Sequence, residues 1–176
     1  MVRSVTDAQN VIAQLADLLR TVLAESPTQT TSLQKELAFI QNYLSIEQIR
    51  FQDRLTIHYH IEPDTENAQV PGLILQPLVE NAIKHGFSQQ TGQGTITLTS
   101  AKNNEQLTLT VQDDGAGFTS NNASFGIGLN NVQDRLHNLY PNQSSFLLQP
   151  GETKGVKAIL TIPFSTEQTD DQNPYR

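Results

Sequence analysis

A carboxylate that could bind a ligand stands at the end of an alternating apolar stretch. Leu107, Leu109 and Val111 share the parity of Asp113, so a β-strand would direct all four side chains to one side. A carboxylate at the rim of a core is costly unless it accepts hydrogen bonds. The donor could be a backbone amide of the following turn, a protein side chain or the amino group of a ligand. A plain turn-forming role is the alternative, because Asp-Asp-Gly is common in turns.

A second polar group lies on one flank of a helix predicted over residues 75–85. At ~100° per residue, Asn81, Lys84 and His85 fall on the same flank as Pro77. An Asn amide oxygen can ligate Mg²⁺, and a Lys ammonium can neutralise phosphate. The flank is either a solvated helix face or the lining of an anion or metal pocket. The opposite face carries apolar residues at helical spacing and predicts core packing: Leu75, Leu78, Val79, Ala82 and Ile83.

Two pairs of glycines follow the carboxylate. Gly115 and Gly117 come directly after it, and Gly126 and Gly128 open a helix predicted to reach about Tyr140. Glycines at a helix N-terminus let backbone amides approach a phosphate. The second pair follows a polar loop, and no Gly-Lys-Ser/Thr sequence occurs, so neither a dinucleotide fingerprint nor a Walker A loop is present.

The histidines offer weaker candidates. His58 and His60 lie two apart on the polar face of a predicted strand, and a metal site would need a third ligand that is not evident. His137 is predicted to be exposed on the helix after the second glycine pair. No Ser-His-Asp order and no G-x-S-x-G elbow occurs.

Composition excludes several classes of protein. The 176 residues include 18 acidic and 11 basic side chains, a net charge of −7, which disfavours binding to a nucleic-acid backbone. Cysteine is absent, so disulfides, thiolate nucleophiles and zinc–thiolate sites are excluded. No apolar run approaches the ~18–20 residues that span a bilayer, so no membrane contact is predicted. The first ten residues lack the apolar stretch of a secretory signal.

The elements that must position these residues mix strands and helices without regular βαβ alternation. We therefore predict an α+β fold, a two-layer α/β sandwich with a mixed, largely antiparallel sheet. The Asn103-Asn104 turn predicts a hairpin. Strands are predicted over 55–61, 95–100, 106–113, 145–149 and 156–163, and helices over 33–51, 75–85 and 128–140.

The N-terminal third predicts two helices separated by a polar break. Over residues 7–25, apolar residues spaced 4, 3 and 4 apart form a coiled-coil-like seam. That helix either docks on its own domain or pairs with another chain. Over residues 33–51, two apolar stripes predict burial on more than one side, and Thr31 and Gln34 have capping-box spacing.

Together these motifs resemble the ATPase superfamily that holds gyrase, the heat-shock chaperone, histidine kinases and MutL. Residues 77–86 (PLVENAIKHG) resemble its N box. Residues 113–118 (DDGAGF) and 126–129 (GIGL) resemble its two glycine boxes, in the same order and at similar spacing. The resemblance implies the Bergerat ATP-binding fold.

Three longer stretches narrow the resemblance to LytS/YesM-type sensor histidine kinases. These stretches are 33–51 (LQKELAFIQNYLSIEQIRF), 73–86 (LILQPLVENAIKHG) and 126–136 (GIGLNNVQDRL). The resemblance covers about residues 8–164. It implies an enzyme that transfers the γ-phosphate of ATP to a histidine.

The resemblance implies a role for each matching residue near the base and metal. Asn81 would ligate the Mg²⁺ that bridges the ATP phosphates. Lys84 and His85 would lie near the phosphates or the ribose. Asp113 would accept a hydrogen bond from the exocyclic amino group of adenine, so ATP would supply the donor for this carboxylate.

The resemblance also implies a role for each of the glycines. Gly115 and Gly117 would flank the base. The phosphates would be cradled by Gly126, Gly128 and Leu129. The Ser-, Asn- and Gly-rich loop between the pairs would form a lid that orders when nucleotide binds.

This chain departs from the family at its phosphoacceptor. The family's histidine lies in an H-F-L-F-N stretch, and none of His58, His60, His85 or His137 has that context. Residues 8–25 match only the second helix of the dimerisation hairpin. We therefore expect the acceptor histidine to lie outside this chain, in a longer protein.

Further departures concern the nucleotide pocket. Pro77 stands where the hydrolysing branches carry a general-base Glu, which favours transfer to a protein histidine over water. Glu80 lies ~100° from Asn81 around the helix and is not assigned as the base. Val156 and Lys157 follow Gly155 where the family has G-T-T, which removes a hydroxyl near the adenine subsite. Asp114 is more often Asn.

These observations predict a partial dimerisation helix over 1–30, an ATP-binding domain over 31–165 whose leading helix is 31–52, and a disordered tail over 166–176. The predicted function is that of the ATP-binding domain of a two-component sensor histidine kinase. Its cofactors would be ATP and Mg²⁺. Its partners would be the acceptor-histidine helix, a response regulator and a second copy of the full-length protein, and this part would lie on the cytoplasmic side of a bacterial membrane receptor. The alternatives are an ATPase or conformational clamp of the same superfamily, and an interaction module with a vestigial pocket.

Overall fold

The computed structural model describes residues 29–52, 54–87, 92–117, 126–152 and 154–167. The helix predicted over residues 7–25 and all but the start of the predicted tail lie outside these ranges. The described elements, in chain order, are β1 (Thr30–Ser32), α1 (Leu33–Phe51), β2 (Leu55–Ile61), a 3₁₀ turn (Pro63–Thr65), β3 (Gln69–Pro71), α2 (Leu75–Asn81), a π-helical turn (Ala82–Phe87), β4 (Gly94–Asn103), β5 (Gln106–Asp113), α3 (Ile127–Leu139), β6 (Ser145–Pro150) and β7 (Val156–Pro163).

The main sheet is mixed and largely antiparallel, as predicted. Its strand order is β2-β4-β5-β7-β6. The β2–β4 pair is parallel, and the other three pairs are antiparallel. Asp113 is paired with Ile96 of β4, so the carboxylate lies beside the start of that strand.

One face of the sheet packs against the helices and forms a single apolar core. Alternate residues of the strands are buried there, while their neighbours on the other face are largely polar. The predicted parity of Leu107, Leu109, Val111 and Asp113 is confirmed, because all four are buried. This second layer makes the fold the predicted α+β sandwich. Within the described ranges, no helix combines the length and apolar character that a bilayer crossing requires.

The start of α1 differs from the sequence prediction. Ser32, not Thr31, caps the helix, and its hydroxyl accepts a hydrogen bond from the Lys35 amide at 3.4 Å. Thr31 instead lies in β1, which pairs antiparallel with β3. This small sheet was not predicted, because three-residue strands carry too little alternation to be recognised in a sequence.

Two further boundaries are corrected by the structure. The hairpin turn between β4 and β5 is formed by Asn104 and Glu105, with Asn103 already paired to Gln106. Asn104 has a φ of 55°, a conformation that Asn tolerates better than most residues. The helix predicted over 75–85 is α-helical only to Asn81 and then widens into a π-helical turn, a feature that is frequent at functional sites.

Candidate functional site

The site is built around the Asp113 carboxylate, which is 3% exposed at the end of β5. Its Oδ1 accepts a hydrogen bond from the Gly115 amide at 2.8 Å. Its Oδ2 accepts one from the Val156 amide at 3.3 Å. One donor is thus the following turn, and the other belongs to β7. Two carboxylate oxygens offer about four acceptor positions, so capacity remains for a further donor.

Burial raises the pKa of Asp113 above its ordinary value of 3.8, and the two amide hydrogen bonds oppose that rise. The neighbouring Asp114 carboxylate adds a smaller upward contribution to this pKa. A cationic or neutral N–H donor from a ligand would stabilise the charged form further. The carboxylate is therefore held in a setting that favours an additional donor.

Three glycines allow the backbone to approach this carboxylate closely. A Cβ on Gly86 would lie 2.8 Å from Asp113 Oδ1. A Cβ on Gly115 would lie 2.2 Å from the Gly86 Cα. A Cβ on Gly155 would lie 2.0 Å from the Asp113 carbonyl oxygen. Separations below 3.0 Å are essentially never shown by real Cβ atoms, so this glycine cradle requires glycine at all three positions.

The flank of α2 approaches the same cradle through the π-helical turn. The turn contains Lys84, His85 and Gly86 and packs against β5. Asn81, at the last α-helical position, is partly exposed, and Lys84 and His85 are exposed. The opposite face is buried as predicted. Because Gly86 lies against the Asp113 carboxylate, the polar flank and the carboxylate belong to one region of the protein.

The second glycine pair lies at the start of α3. Gly126 is the N-cap, which has no side-chain hydrogen bond, and its carbonyl oxygen accepts from the Leu129 amide at 3.1 Å. Gly126 and Gly128 are exposed, whereas the Leu129 side chain is buried in the core. A Cβ on Gly128 would lie 3.6 Å from the Pro77 Cβ, so α3 begins beside α2. Helix N-termini leave amides available to anions.

The predicted lid lies largely outside the described residues, which resume at Gly126. Gly117, just before the lid, has a φ of 79°, a value that favours glycine. A Cβ on Gly117 would lie 3.5 Å from the Gly155 amide nitrogen. Of the first glycine pair, Gly115 therefore forms part of the cradle around Asp113, and Gly117 borders it.

The structure also shows where the residues that depart from the family pattern lie and what they contact. Val156 contributes its backbone amide to Asp113, which any residue except proline could do. Lys157 lies on β7 and its ammonium is 3.5 Å from Glu152 Oε1. Asp114 Oδ1 accepts from the Thr95 amide at 2.8 Å, so this carboxylate fastens β4 to the end of β5.

Two residues of the cradle were not predicted as site residues. In the sequence, Gly86 only ends a motif, and Gly155 only begins an altered G-T-T. Their signal was the glycine itself, since glycine often marks a close backbone approach. The segments that they approach are distant along the chain, so the sequence does not reveal the contact.

The histidines predicted to face solvent are exposed. His58 and His60 stack with ring centroids 6.4 Å apart on β2, and His137 lies on the exposed side of α3. Among the described residues, no group of three His, Cys, Asp or Glu side chains could hold a metal ion.

Comparison with protein families agrees with this geometry. The family of histidine kinase-, DNA gyrase B- and HSP90-like ATPases matches residues 67–166, and the histidine kinase family matches residues 1–55. The chain belongs to the family of histidine kinase-, DNA gyrase B- and HSP90-like ATPases. The resemblance to sensor histidine kinases in the sequence is thereby confirmed.

Individual histidine kinases are also similar to this chain in sequence or in structure. Sensor protein LytS of Staphylococcus haemolyticus is 33% identical over 175 residues, covering 93% of this chain and 30% of that protein. The chain therefore spans about a third of the length of this relative. The histidine kinase domain of a blue-light activated kinase from Erythrobacter litoralis EL346 has a TM-score of 0.59 at 20% identity, covering 88% of this chain and 73% of that one. Histidine kinase ThkA, solved in complex with response regulator protein TrrA, has a TM-score of 0.60 at 16% identity, covering 92% of this chain and 50% of that one. At these identities the structures show a shared fold.

Proposed function

We propose that this chain binds ATP with the adenine amino group donating to Asp113. The observation that carries the proposal is the buried carboxylate with its glycine cradle. Asp113 is 3% exposed, and within the described residues it accepts from the backbone amides of Gly115 and Val156. Glycine at positions 86, 115 and 155 lets three backbone segments pack directly against this carboxylate and against one another. An exocyclic amino group supplies the kind of donor that a buried carboxylate requires.

We propose that the triphosphate extends from this cradle toward α2 and the start of α3. Asn81 would hold Mg²⁺ through its amide oxygen, because Mg²⁺ prefers oxygen ligands and keeps several waters. Lys84 and His85 would contribute positive or hydrogen-bonding groups near the phosphates or ribose. Gly126, Gly128 and Leu129 would present the first turn of α3, where phosphates are favoured. The bound metal would neutralise charge on the phosphates.

The reaction we propose is transfer of the γ-phosphate to a histidine outside this chain. Phosphoryl transfer needs positioning and charge neutralisation more than a covalent contribution from the protein. Pro77 lies one turn before Asn81 on α2 and can neither accept a proton nor orient water. The residues near the polar flank therefore favour a protein nucleophile over hydrolysis.

We propose partners that suit this reaction. The acceptor helix of the full-length kinase would present its histidine, and a response regulator would receive the phosphoryl group. Histidine kinase ThkA forms a complex with response regulator protein TrrA, which supports a partner of this kind. Pairing of two full-length copies and a cytoplasmic position in a bacterial membrane receptor complete the proposal.

Calorimetric titration with a non-hydrolysable ATP analogue and Mg²⁺ tests nucleotide binding. Saturable binding that weakens when Mg²⁺ is withdrawn supports the proposal. Absence of binding would favour the vestigial interaction module instead. A matched titration with the GTP analogue controls for the base, since guanine presents a carbonyl where adenine presents an amino group.

Incubation with γ-labelled ATP tests the position of the acceptor. We expect no stable label on this chain alone, and label on the full-length kinase that is labile to acid and stable to base. Label of that kind on the isolated chain would contradict an external acceptor. Steady release of inorganic phosphate at many turnovers would favour the ATPase or clamp alternative.

A further inference from the structure

The turn that precedes α2 is held in an unusual conformation. Leu73 has a φ of 56°, a left-handed value that is uncommon for a bulky residue. The turn contains Gly72 and Leu73 and leads directly through Ile74 into Leu75, the first residue of α2. A strained backbone persists only where its surroundings over-determine it. The contacts that fix this turn therefore also fix the start of the helix that carries Asn81.

Glu36 of α1 supplies the first of these contacts. Its Oε1 accepts from the Leu73 amide at 2.5 Å, and its Oε2 accepts from the Leu75 amide at 3.3 Å. The side chain is buried, since Glu36 is 1% exposed. A carboxylate at the first amides of a helix also interacts favourably with the helix dipole. Ile74, the N-cap of α2, provides no side-chain hydrogen bond of its own, so the cap comes from another helix.

Arg135 of α3 holds the same turn from the other side. Its guanidinium donates to the Gly72 carbonyl oxygen at 2.5 Å. Arg135 lies eight residues after Ile127, at which α3 begins. The turn thus joins α1 to both helices that flank the proposed phosphate site.

The beginning of α1 is tied to β3, which leads into this turn, and to the residues just before β3. The Leu33 amide donates to the Ala68 carbonyl oxygen at 2.8 Å, and the Gln34 amide donates to the Glu66 carbonyl oxygen at 2.9 Å. β1, immediately before α1, pairs with β3, immediately before the turn. A displacement of α1 would therefore move the strand, the turn and the start of α2 together.

We propose that Glu36 is a positioning residue, which sets the placement of Asn81 from α1 through the turn at residues 72–74. This inference rests on the proposed nucleotide site and deepens it, since it names α1 as the element that adjusts metal-dependent nucleotide affinity. Arg135 holds the same turn from α3. Signals that shift α1 would change the affinity for Mg-ATP without touching the nucleotide.

Glu36→Gln tests the proposal with little change in volume. The amide keeps one acceptor but turns an N–H toward one of the two backbone amides, so one hydrogen bond is lost. We expect Mg-ATP affinity to fall about tenfold and affinity measured without Mg²⁺ to change much less. Hydrogen exchange at the Leu73 and Leu75 amides should become faster.

Glu47→Gln is the matched control for loss of a buried carboxylate. Glu47 lies on the same helix, is also buried, and pairs with Arg50 at 3.0 Å. We expect Glu47→Gln to lower stability while leaving the ratio of affinities with and without Mg²⁺ unchanged. Equal effects of both variants on that ratio would overturn a positioning role, and so would an unchanged ratio in Glu36→Gln.

Arg135→Gln provides a second variant if Glu36→Gln does not fold, because Arg135 is exposed. Lys35→Gln, on the exposed side of α1, is its control for a lost positive charge. We expect faster hydrogen exchange at the Leu73 amide in Arg135→Gln but not in Lys35→Gln. Unchanged exchange in Arg135→Gln would overturn the proposal that these contacts position the turn. Hydrogen exchange is measured without nucleotide, so a failure of the proposed turn contacts can be distinguished from a failure of nucleotide binding. A chain that binds no ATP would contradict the proposed function, whereas the exchange rates test the contacts of the turn directly.

Discussion

Gly155 and Asp113 lie in direct backbone contact, although 42 positions separate them in the sequence. A Cβ on Gly155 would lie 2.0 Å from the Asp113 carbonyl oxygen and 2.8 Å from its Oδ1. The next residue, Val156, donates its amide to the same carboxylate. This contact joins the start of β7 to the end of β5 and borders the proposed adenine subsite.

Gly155→Ala should therefore damage both the fold and the site. The φ of 79° is strained for alanine, and the added methyl group collides with backbone. We expect the free energy of unfolding to fall by about 1–3 kcal/mol, with loss of ATP binding, as measured by denaturant titration and calorimetry. Gly92→Ala is the control, since no atom lies within 4 Å of its added Cβ. Wild-type affinity in Gly155→Ala would show that the cradle is not needed.

Asp113→Asn should weaken the proposed contact between this carboxylate and adenine. The substitution replaces a charged acceptor by a neutral one and places an N–H near backbone donors. We expect a loss of about 1–3 kcal/mol in ATP binding, measured by titration with the non-hydrolysable analogue. The loss should be smaller for the GTP analogue, whose base lacks the amino group at that position. An equal loss for both nucleotides would contradict the adenine role.

The free energy of unfolding and the ATP affinity of the wild-type protein should both depend on pH through the Asp113 carboxyl group. Burial raises the pKa of this carboxyl above 3.8, so the folded state holds the proton more tightly than the unfolded chain. The contribution of Asp113 to the free energy of unfolding therefore falls as pH rises from 3.8 through the folded-state pKa. Titration of the Asp113 carboxyl by NMR measures this pKa directly. ATP affinity should fall as pH drops through it, because the protonated carboxyl is a poorer acceptor, and Asp113→Asn should lack that dependence.

Asn81→Ala should remove the metal-dependent part of nucleotide binding. The expected result is an affinity for the ATP analogue that no longer responds to Mg²⁺ in calorimetric titration, because the proposed oxygen ligand is gone. Asn138→Ala removes an exposed amide from the last turn of α3 and serves as the control. A full Mg²⁺ response in Asn81→Ala would place the metal elsewhere.

Pro77→Ala should leave the chemistry almost unchanged. Pro77 is the third residue of α2, where the backbone amide has no intrahelical partner in any case. We expect Mg-ATP affinity and the low rate of phosphate release to stay within about twofold of wild type. A steady phosphate release that falls in the variant would revive the ATPase alternative.

Much of the fold could be predicted from sequence because its signals are local. The alternation of Leu107, Leu109 and Val111 with polar residues predicted the strand and the inward side of Asp113. The helical spacing from Leu75 to Ile83 likewise predicted the buried face of α2 and of the π-helical turn that follows it. Each signal depends on neighbours within a turn or two of chain, which the sequence displays directly.

The finer features depended on contacts between distant segments. The cap of α2 comes from Glu36, which precedes Leu75 by 39 positions, and the α1 cap is Ser32 where capping-box spacing predicted Thr31. The widening of α2 into a π-helical turn occurs where Gly86 meets the Asp113 side chain. Helical periodicity assumes one geometry throughout such a stretch and cannot show the change.

The sequence by itself determined the strands of the main sheet, the helices α1 to α3 and the motif residues of this protein, because side-chain periodicity and glycine spacing are encoded residue by residue. Only the tertiary structure decided which glycines surround Asp113 and which carboxylate holds the turn before α2. Those relationships arise when packing of the helices on the sheet brings distant backbone segments within hydrogen-bonding distance. A linear sequence specifies that packing without displaying it.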